Sequence, residues 1–426
     1  MKIKKFLLHS ENIAKDSFIW NMFGSMLMAF QSVLMLMILT RILGLEEAGI
    51  FTIAYANANL FLTIGKYGMR NFQASDIKEE FTFGEYRKSR ILTTAAMMVV
   101  SVLYVIYTGN KNGYTSEKSM IIIWMCLFKA VDVVEDVYHG LYQQKGRLDI
   151  AGKAMALRLM ITIAIFAVLL AVSKNLLLTL VVSTIITAIL MILFIRWSYL
   201  PLKKTEQEDR CTNIKYLLRI CFPLFLGSFF SFYIGNAPKY AIDSILNDEL
   251  QACYGFIAMP VFVIGLFNNF IFSPMIHRLS IVWIEGRMRQ FYKIIFEQIL
   301  VIAGITVICM GGAYMIGVPV LSVLYNTNLA PYKAELLILL LGGGFLALSG
   351  LLVTIITIIR FQKTLVFGYT FVAVLAYFLS PVLVRKYSMM GAAVLYLLLM
   401  MLLCMIFFVL MYWGINRKKS SRRDYD

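Results

Sequence analysis

The sequence predicts an all-α integral membrane protein, with twelve transmembrane helices in two six-helix bundles related by a parallel pseudo-repeat. Three observations carry that expectation. The 426 residues are 60% hydrophobic, with a mean hydropathy of +0.77, far outside the range of soluble domains. The apolar residues gather into segments near 17–40, 48–64, 91–108, 119–138, 153–173, 175–195, 216–237, 251–273, 294–316, 334–357, 364–384 and 391–413. With the N-terminus in the cytoplasm, thirty of the forty Lys and Arg residues fall in cytoplasmic segments or at their span edges. Eight lie on the outer side, and two, Lys129 and Arg158, lie inside spans. Positively charged flanks resist translocation, so this one assignment of sides accounts for almost every basic residue. It places a multi-pass protein in the inner (plasma) membrane with both termini cytoplasmic.

Each segment is roughly 17–24 residues long, enough at ~1.5 Å per residue to cross a hydrocarbon core of about 30 Å. The first is preceded by Lys2, Lys4, Lys5 and Lys15 and followed by no small-residue cleavage site, so it reads as an anchor rather than a removed signal. Trp20, Trp197, Trp283 and Trp413 fall at inner span ends and Trp124 near an outer one, as an aromatic belt requires. The formal charge of +16 follows from topology and attracts anionic membrane lipids; no basic run sits in a soluble domain that could grip nucleic acid. Six cysteines include no CxxC pair and none in an outer loop, and His9, His139 and His277 are far apart. Neither disulfides nor a metal site is expected.

The Pro-initiated, charged stretch 201–213 reads as a cytoplasmic linker between an N-terminal bundle (1–200) and a C-terminal bundle with a basic tail (214–426). Gly24-Ser25 and Ile42-Leu43 recur as Gly227-Ser228 and Ile245-Leu246 at identical internal spacing. Six spans per half keep both halves in one orientation, which makes the repeat parallel. Residues 283–298 alternate basic and apolar faces, read either as an interfacial helix along the inner leaflet or as a snorkelling start to the next span.

Ionisable side chains inside a membrane are costly and normally face a partner or a wet cavity. Span four concentrates them: Lys129, Asp132, Glu135 and Asp136, with His139 just beyond. Lys129, Asp132 and Asp136 share one helical face, and Arg158 of span five lies at the depth of Asp132. The group reads either as an ion-pair clamp between spans four and five or as a charged cavity wall binding substrate or a coupling cation. A second group lies toward the outer side, where Arg41 ends span one and Gly235-Asn236-Ala237-Pro238-Lys239 ends span seven. Pro223 and Pro238 should make span seven discontinuous or hinged, so Pro223, Asn236 and Pro238 are gate candidates; Arg41 and Lys239 either line a lumen or snorkel outward. Asn57, Asn59, Asn268 and Asn269 are mid-span amides, expected mainly to bond neighbouring helices. Gly342-Gly343-Gly344 lacks a phosphate-loop context and reads as close packing or flexibility. There is no nucleophile–base arrangement, no nucleotide loop and no soluble cleft with paired carboxylates. The chain reads as a non-enzyme without cofactors, and any work must draw on ion or potential gradients.

The stretch Thr40-Arg41-Ile42-Leu43-Gly44-Leu45-Glu46-Glu47-Ala48-Gly49-Ile50-Phe51, before a span ending at Gly65, resembles the opening of the polysaccharide biosynthesis transporters. These are the Wzx-type lipid-linked oligosaccharide flippases of the multidrug/oligosaccharidyl-lipid/polysaccharide (MOP) exporter superfamily. The resemblance implies two bundles around a lumen and alternating access. It also implies an undecaprenyl-diphosphate-linked oligosaccharide moved from the inner to the outer leaflet, with H+ or Na+ as candidate coupling ions and glycan polymerase machinery as a candidate partner. A diphosphate needs a cationic, wet lumen, and this chain's own charge pattern offers Arg41, Lys129, Arg158 and Lys239. The span-four acids depart from a purely cationic lumen and leave a cation-coupled drug antiporter of the same superfamily as the alternative. A major-facilitator transporter would carry a Gly-Asp-Arg-Gly-type second loop, which residues 65–76 lack, and a polymerase would show a long arginine-bearing outer loop.

Overall fold

The computed structural model describes residues 2–76, 80–203 and 213–423. Among these there is no strand; the chain runs through fourteen α-helices. A short α1 (Lys2–Leu8) precedes the long α2 (Ile13–Leu43) and α3 (Leu45–Lys66). Then come the short α4 (Met69–Ser75) and the long α5 (Phe83–Asn112), α6 (Ser116–Gln144), α7 (Leu148–Ser173) and α8 (Leu176–Lys203). They are followed by α9 (Ile214–Ile245), α10 (Asp248–Ile284), α11 (Met288–Gly312), α12 (Val318–Tyr325), α13 (Lys333–Ile358) and α14 (Leu365–Arg423). A π-helical turn, Ala313–Gly317, joins α11 to α12, and α14 is broken at Ser388 (φ 52, ψ −129). The apolar segments 364–384 and 391–413 lie on either side of that break.

Among the described residues, nine helical stretches are long and apolar enough to cross a membrane. α6 is not one of them, because Lys129, Asp132, Glu135 and Asp136 interrupt its apolar run. The protein is a multi-pass, all-helical membrane protein. Its outer helices show the surface that hydrocarbon demands: on α5 the side chains of Ile91, Leu92, Val99, Leu103 and Ile106 are all exposed, whereas α3 is mostly buried. Backbone polar groups in lipid must be satisfied within each segment, which is why the chain resolves into helices.

The chain folds into two compact units, Met1–Phe229 and Phe230–Asp426. The division lies inside α9, because its first turns belong to the first unit. The Asn213 N–H donates to Glu85 Oε1 (2.8 Å), Phe225 stacks on Tyr67 with ring centroids 4.7 Å apart, and Leu217 and Cys221 complete an apolar cluster with Met69, Phe81, Phe83 and Tyr86. Glu85 also closes a capping box with Thr82 at the start of α5, so one carboxylate caps one helix and anchors the next. Of the linker 201–213, residues 204–212 lie outside the described residues. α9 runs unbroken through Pro223 and Pro238, correcting the discontinuity expected of span seven; a proline removes one hydrogen bond without necessarily ending a helix. Residues 283–298 form no separate interfacial helix either. α10 ends at Ile284, the chain turns at Glu285-Gly286-Arg287, and α11 begins directly.

In the first unit α6 is central, packed against α3, α4, α5, α7 and α8, while α2 packs on α7 and α3. Small residues permit these approaches. A Cβ on Gly152 of α7 would lie 2.5 Å from backbone atoms of Trp20 and Asn21 on α2. α1 is held at the end of this bundle by Leu7, buried with Ala154 and Phe194, and by Lys153 Nζ donating to the His9 carbonyl (2.8 Å). In the second unit α13 is central, packed against α10, α11 and α14. The Gly342-Gly343-Gly344 run is a packing device: added Cβ atoms would meet Tyr396 at 2.6 Å, Val261 at 2.9 Å and Thr306 at 2.6 Å.

Gly152→Leu should therefore lower the thermal midpoint of the detergent-solubilised protein, since backbone cannot yield as a side chain does; overpacking costs about 1–3 kcal/mol. Gly311→Ala, at a helical position with nothing within 4 Å, should not lower the midpoint in the same melt, since alanine is the better helix former.

Candidate functional site

α6 carries its charged residues into the interior of the first unit, where α2, α3, α5, α7 and α8 supply partners. Arg158 is 0% exposed. Its Nη2 donates to Asp132 Oδ1 (2.6 Å) and Glu135 Oε2 (2.7 Å), its Nε to Glu135 Oε1 (3.2 Å), and its Nη1 to Thr187 Oγ1 of α8 (2.9 Å). Lys129, 2% exposed, donates to Asp132 Oδ2 (3.1 Å) and to Gln31 Oε1 of α2 (2.9 Å). Its ammonium also lies 4.7 Å from the centre of the Tyr55 ring on α3, within cation–π range. Asp132 is thus shared by one lysine and one arginine, and Arg158 is clasped by two carboxylates in the bidentate geometry its planar fork favours. His139 Nε2 lies 3.7 Å from Glu135 Oε1.

Asp136 forms a second centre one turn closer to the α6 C-terminus. Arg90 of α5, buried, reaches it at 2.9 Å, with Lys66 and Arg70 at 3.6 Å each. Arg90 Nη1 also donates to the Gly65 carbonyl (2.8 Å), as does Thr93 Oγ1, satisfying an acceptor at the C-terminal end of α3. The six buried ions, Lys129, Arg158 and Arg90 against Asp132, Glu135 and Asp136, balance in charge. Lys66 and Arg70, each with about a third of its side chain exposed, add two positive charges where the network meets the surface. At the start of α7, Arg147 pairs with Asp149 and donates to the Leu8 carbonyl (2.9 Å). The Asp149 hydrogen bond raises the Arg147 guanidinium further above its ordinary range, so it stays charged at any working pH.

The structure brings together Lys129, Asp132, Glu135, Asp136 and Arg158. Asp132 meets Arg158 as their shared depth predicts; Glu135, rather than Asp136 of the predicted common face, is the second carboxylate on Arg158. Gln31, Tyr55, Lys66, Arg70, Arg90 and Thr187 are partners that the sequence alone did not reveal. Gln31 had a visible signal, a lone amide in mid-span, whereas Arg90 and Lys66 were absorbed into the basic flanks of the apolar segments. The outer group is not part of this network. Arg41 is exposed at the end of α2, and Lys239, half-buried on α9 beside buried Pro238, has no ion pair among the described residues. Asn236 bonds the Phe232 carbonyl of its own helix (3.0 Å) and Asn59 that of Tyr55 (2.9 Å). Asn57 is fully buried with both amide atoms unpartnered. The side chains of Asn268, Asn269 and His277 lie outside the described residues.

With that geometry established, comparison with known proteins defines the family. The model of the family described as "Polysaccharide biosynthesis protein" matches residues 14–280. This chain belongs to that family. It is 21% identical over 377 residues to the capsular polysaccharide biosynthesis protein CapF of Staphylococcus aureus, covering 87% of this chain and 92% of that protein. Its fold is that of the MATE transporters of the MOP superfamily. A MATE multidrug resistance transporter solved in an inward-facing conformation superposes with a TM-score of 0.66 at 13% identity, over 93% of this chain and 96% of the other. An outward-facing one superposes with a TM-score of 0.61 at 13% identity, over 96% of each.

Arg158→Leu should strip Asp132 and Glu135 of their shared cation and cost about 3–5 kcal/mol of stability, since an uncompensated buried charge is the expensive outcome. Removing one cation and one anion together in Arg158→Leu/Glu135→Leu, which leaves Lys129 paired with Asp132, should recover most of that loss. Denaturant titration in detergent checks both; equal damage in the single and double variants would refute charge balance as the reason for the network.

Proposed function

We propose that this protein is a flippase that moves an undecaprenyl-diphosphate-linked oligosaccharide from the inner to the outer leaflet by alternating access during cell-surface polysaccharide biosynthesis. In this reading it has twelve spans in two six-helix bundles related by a parallel repeat, it resides in the plasma (inner) membrane, and both termini are cytoplasmic. The observation that carries the reading is the conjunction of membership in the polysaccharide biosynthesis family with the MOP-transporter fold. The relative CapF is named for capsular polysaccharide biosynthesis, and the family description concerns the same process.

The charge distribution supports a division of labour among Arg41, Lys129, Arg158 and Lys239. Arg41 and Lys239 serve as contacts for the anionic diphosphate. Lys129 and Arg158, whose donors are engaged by Asp132, Glu135, Gln31 and Thr187, act on substrate only in a state where those pairs exchange. Pro223, Asn236 and Pro238 place weakened or amide-bearing turns along α9, the helix that crosses between the units, and suit it to bend during transport. A coupling H+ or Na+ at Asp132, Glu135 or Asp136 would compete with Arg158, Lys129 or Arg90. The same pairing weakens the drug-antiporter alternative, since each of these acids already has a cation.

The test is a reconstituted-liposome assay for movement of a diphosphate-linked oligosaccharide between leaflets, with and without a pH or sodium gradient. Protein-dependent movement is expected. Arg41→Ala and Lys239→Ala should each slow it by about tenfold or more, the worth of one charge-assisted hydrogen bond. Lys129→Ala and Arg158→Ala should abolish it while the protein remains inserted. Absence of movement with several lipid-linked glycans, together with export of an organic cation, would overturn the flippase reading.

A further inference from the structure

At the junction of α10 and α11 the second unit contains a cleft of about 610 Å³ that plays no part in the network above. Arg278, Arg287, Arg289, Lys293, Gln290 and Glu297 are among its lining residues. Basic residues in the first unit find acids: Arg90, Lys66 and Arg70 converge on Asp136, Arg147 takes Asp149, and Lys153 takes Asp16. In the cleft the balance differs. Arg287 pairs with Glu285 and donates to Gln290 Oε1 (2.9 Å), and Lys293 lies 4.0 Å from Glu297. Arg278 and Arg289 have no acidic partner among the described residues, which leaves two unbalanced positive charges on a concave surface.

Met288 and Ile294 are the apolar residues that line the cleft, and exposed apolar side chains lie near these cations in sequence on the same two helices. Ile284 is 72% exposed and Phe296 61% exposed, with Tyr292 also exposed between them in sequence. Trp283, at the end of α10, is buried and packs on Phe291 of α11 with ring centroids 5.2 Å apart. A soluble anion would use only the cations; a ligand with a charged head and an apolar tail uses both surfaces. We infer that the α10–α11 cleft binds a lipid headgroup bearing a terminal phosphate or diphosphate. A phosphomonoester or diphosphate carries close to the two negative charges that the cleft leaves unmatched, whereas a phosphodiester headgroup carries one. The inference rests on the inner-side placement of this turn in the proposed topology and is independent of whether the protein flips a glycolipid.

Full-length protein in detergent, at constant salt, is titrated with dioctanoyl phosphatidate, dioctanoyl phosphatidylglycerol and inorganic pyrophosphate. The proteins compared are wild type, R278Q/R289Q, and R385Q/K386Q, which removes the same charge from exposed positions on α14. Phosphatidate should bind wild type more tightly than phosphatidylglycerol does. R278Q/R289Q should weaken phosphatidate by about twenty-five-fold, at about fivefold per removed arginine, while R385Q/K386Q should change it less than twofold. Equal phosphatidate affinity in all three proteins would overturn the site. Pyrophosphate binding as tightly as phosphatidate would overturn the lipid assignment in favour of a free anion. A negative flipping assay with this binding intact would count against the flippase reading alone.

Discussion

Arg158, sealed within the first bundle between Asp132 and Glu135, is the constraint around which the N-terminal unit is organised. A guanidinium that deep in a membrane protein is tolerable only with its charge matched and its donors occupied. Meeting those requirements recruits α6 twice, through Asp132 and Glu135, and α8 once, through Thr187. Asp132 then needs Lys129 for its second oxygen, and Lys129 brings in Gln31 from α2 and Tyr55 from α3. A single cation therefore fixes the rotation of four further helices about their axes, something lipid-facing apolar contacts do poorly because hydrocarbon tails and leucines are nearly interchangeable.

The same requirement shapes the end of the unit at the α6 C-terminus. Asp136 gathers Arg90, Lys66 and Arg70, while Glu85 both caps α5 and receives the first amide before α9. The start of α9 is thereby bound to the first unit although the rest of the helix belongs to the second. One helix carrying both allegiances suits a protein whose proposed cycle requires two bundles to move as bodies. The second unit is built differently, with glycines admitting Tyr396, Val261 and Thr306 to α13 in place of buried ion pairs.

Much of this was legible in the chain itself. Long apolar segments flanked by basic residues specify a multi-pass helical membrane protein, because hydrocarbon permits only satisfied backbones. The clustering of Lys129, Asp132, Glu135 and Asp136, together with Arg158, marked the site, because ionisable groups in apolar runs are too costly to be incidental.

Which carboxylate meets which cation was settled only in three dimensions. Helical spacing placed Asp132 and Asp136 on one face, but Arg158 approaches from α7 between Asp132 and Glu135, while Arg90 approaches Asp136 from α5. Crossing angles and side-chain reach between separate helices set that choice, and a one-dimensional period does not encode them. Arg90 and Lys66 show the same limit: in the chain they are indistinguishable from snorkelling flank residues, and only the packing of α3 and α5 against α6 turns them inward. A helical membrane protein with charge buried in its first half follows from composition and sidedness, which are read along the chain. How that charge is paired follows from distances between helices, which exist only once the helices have packed.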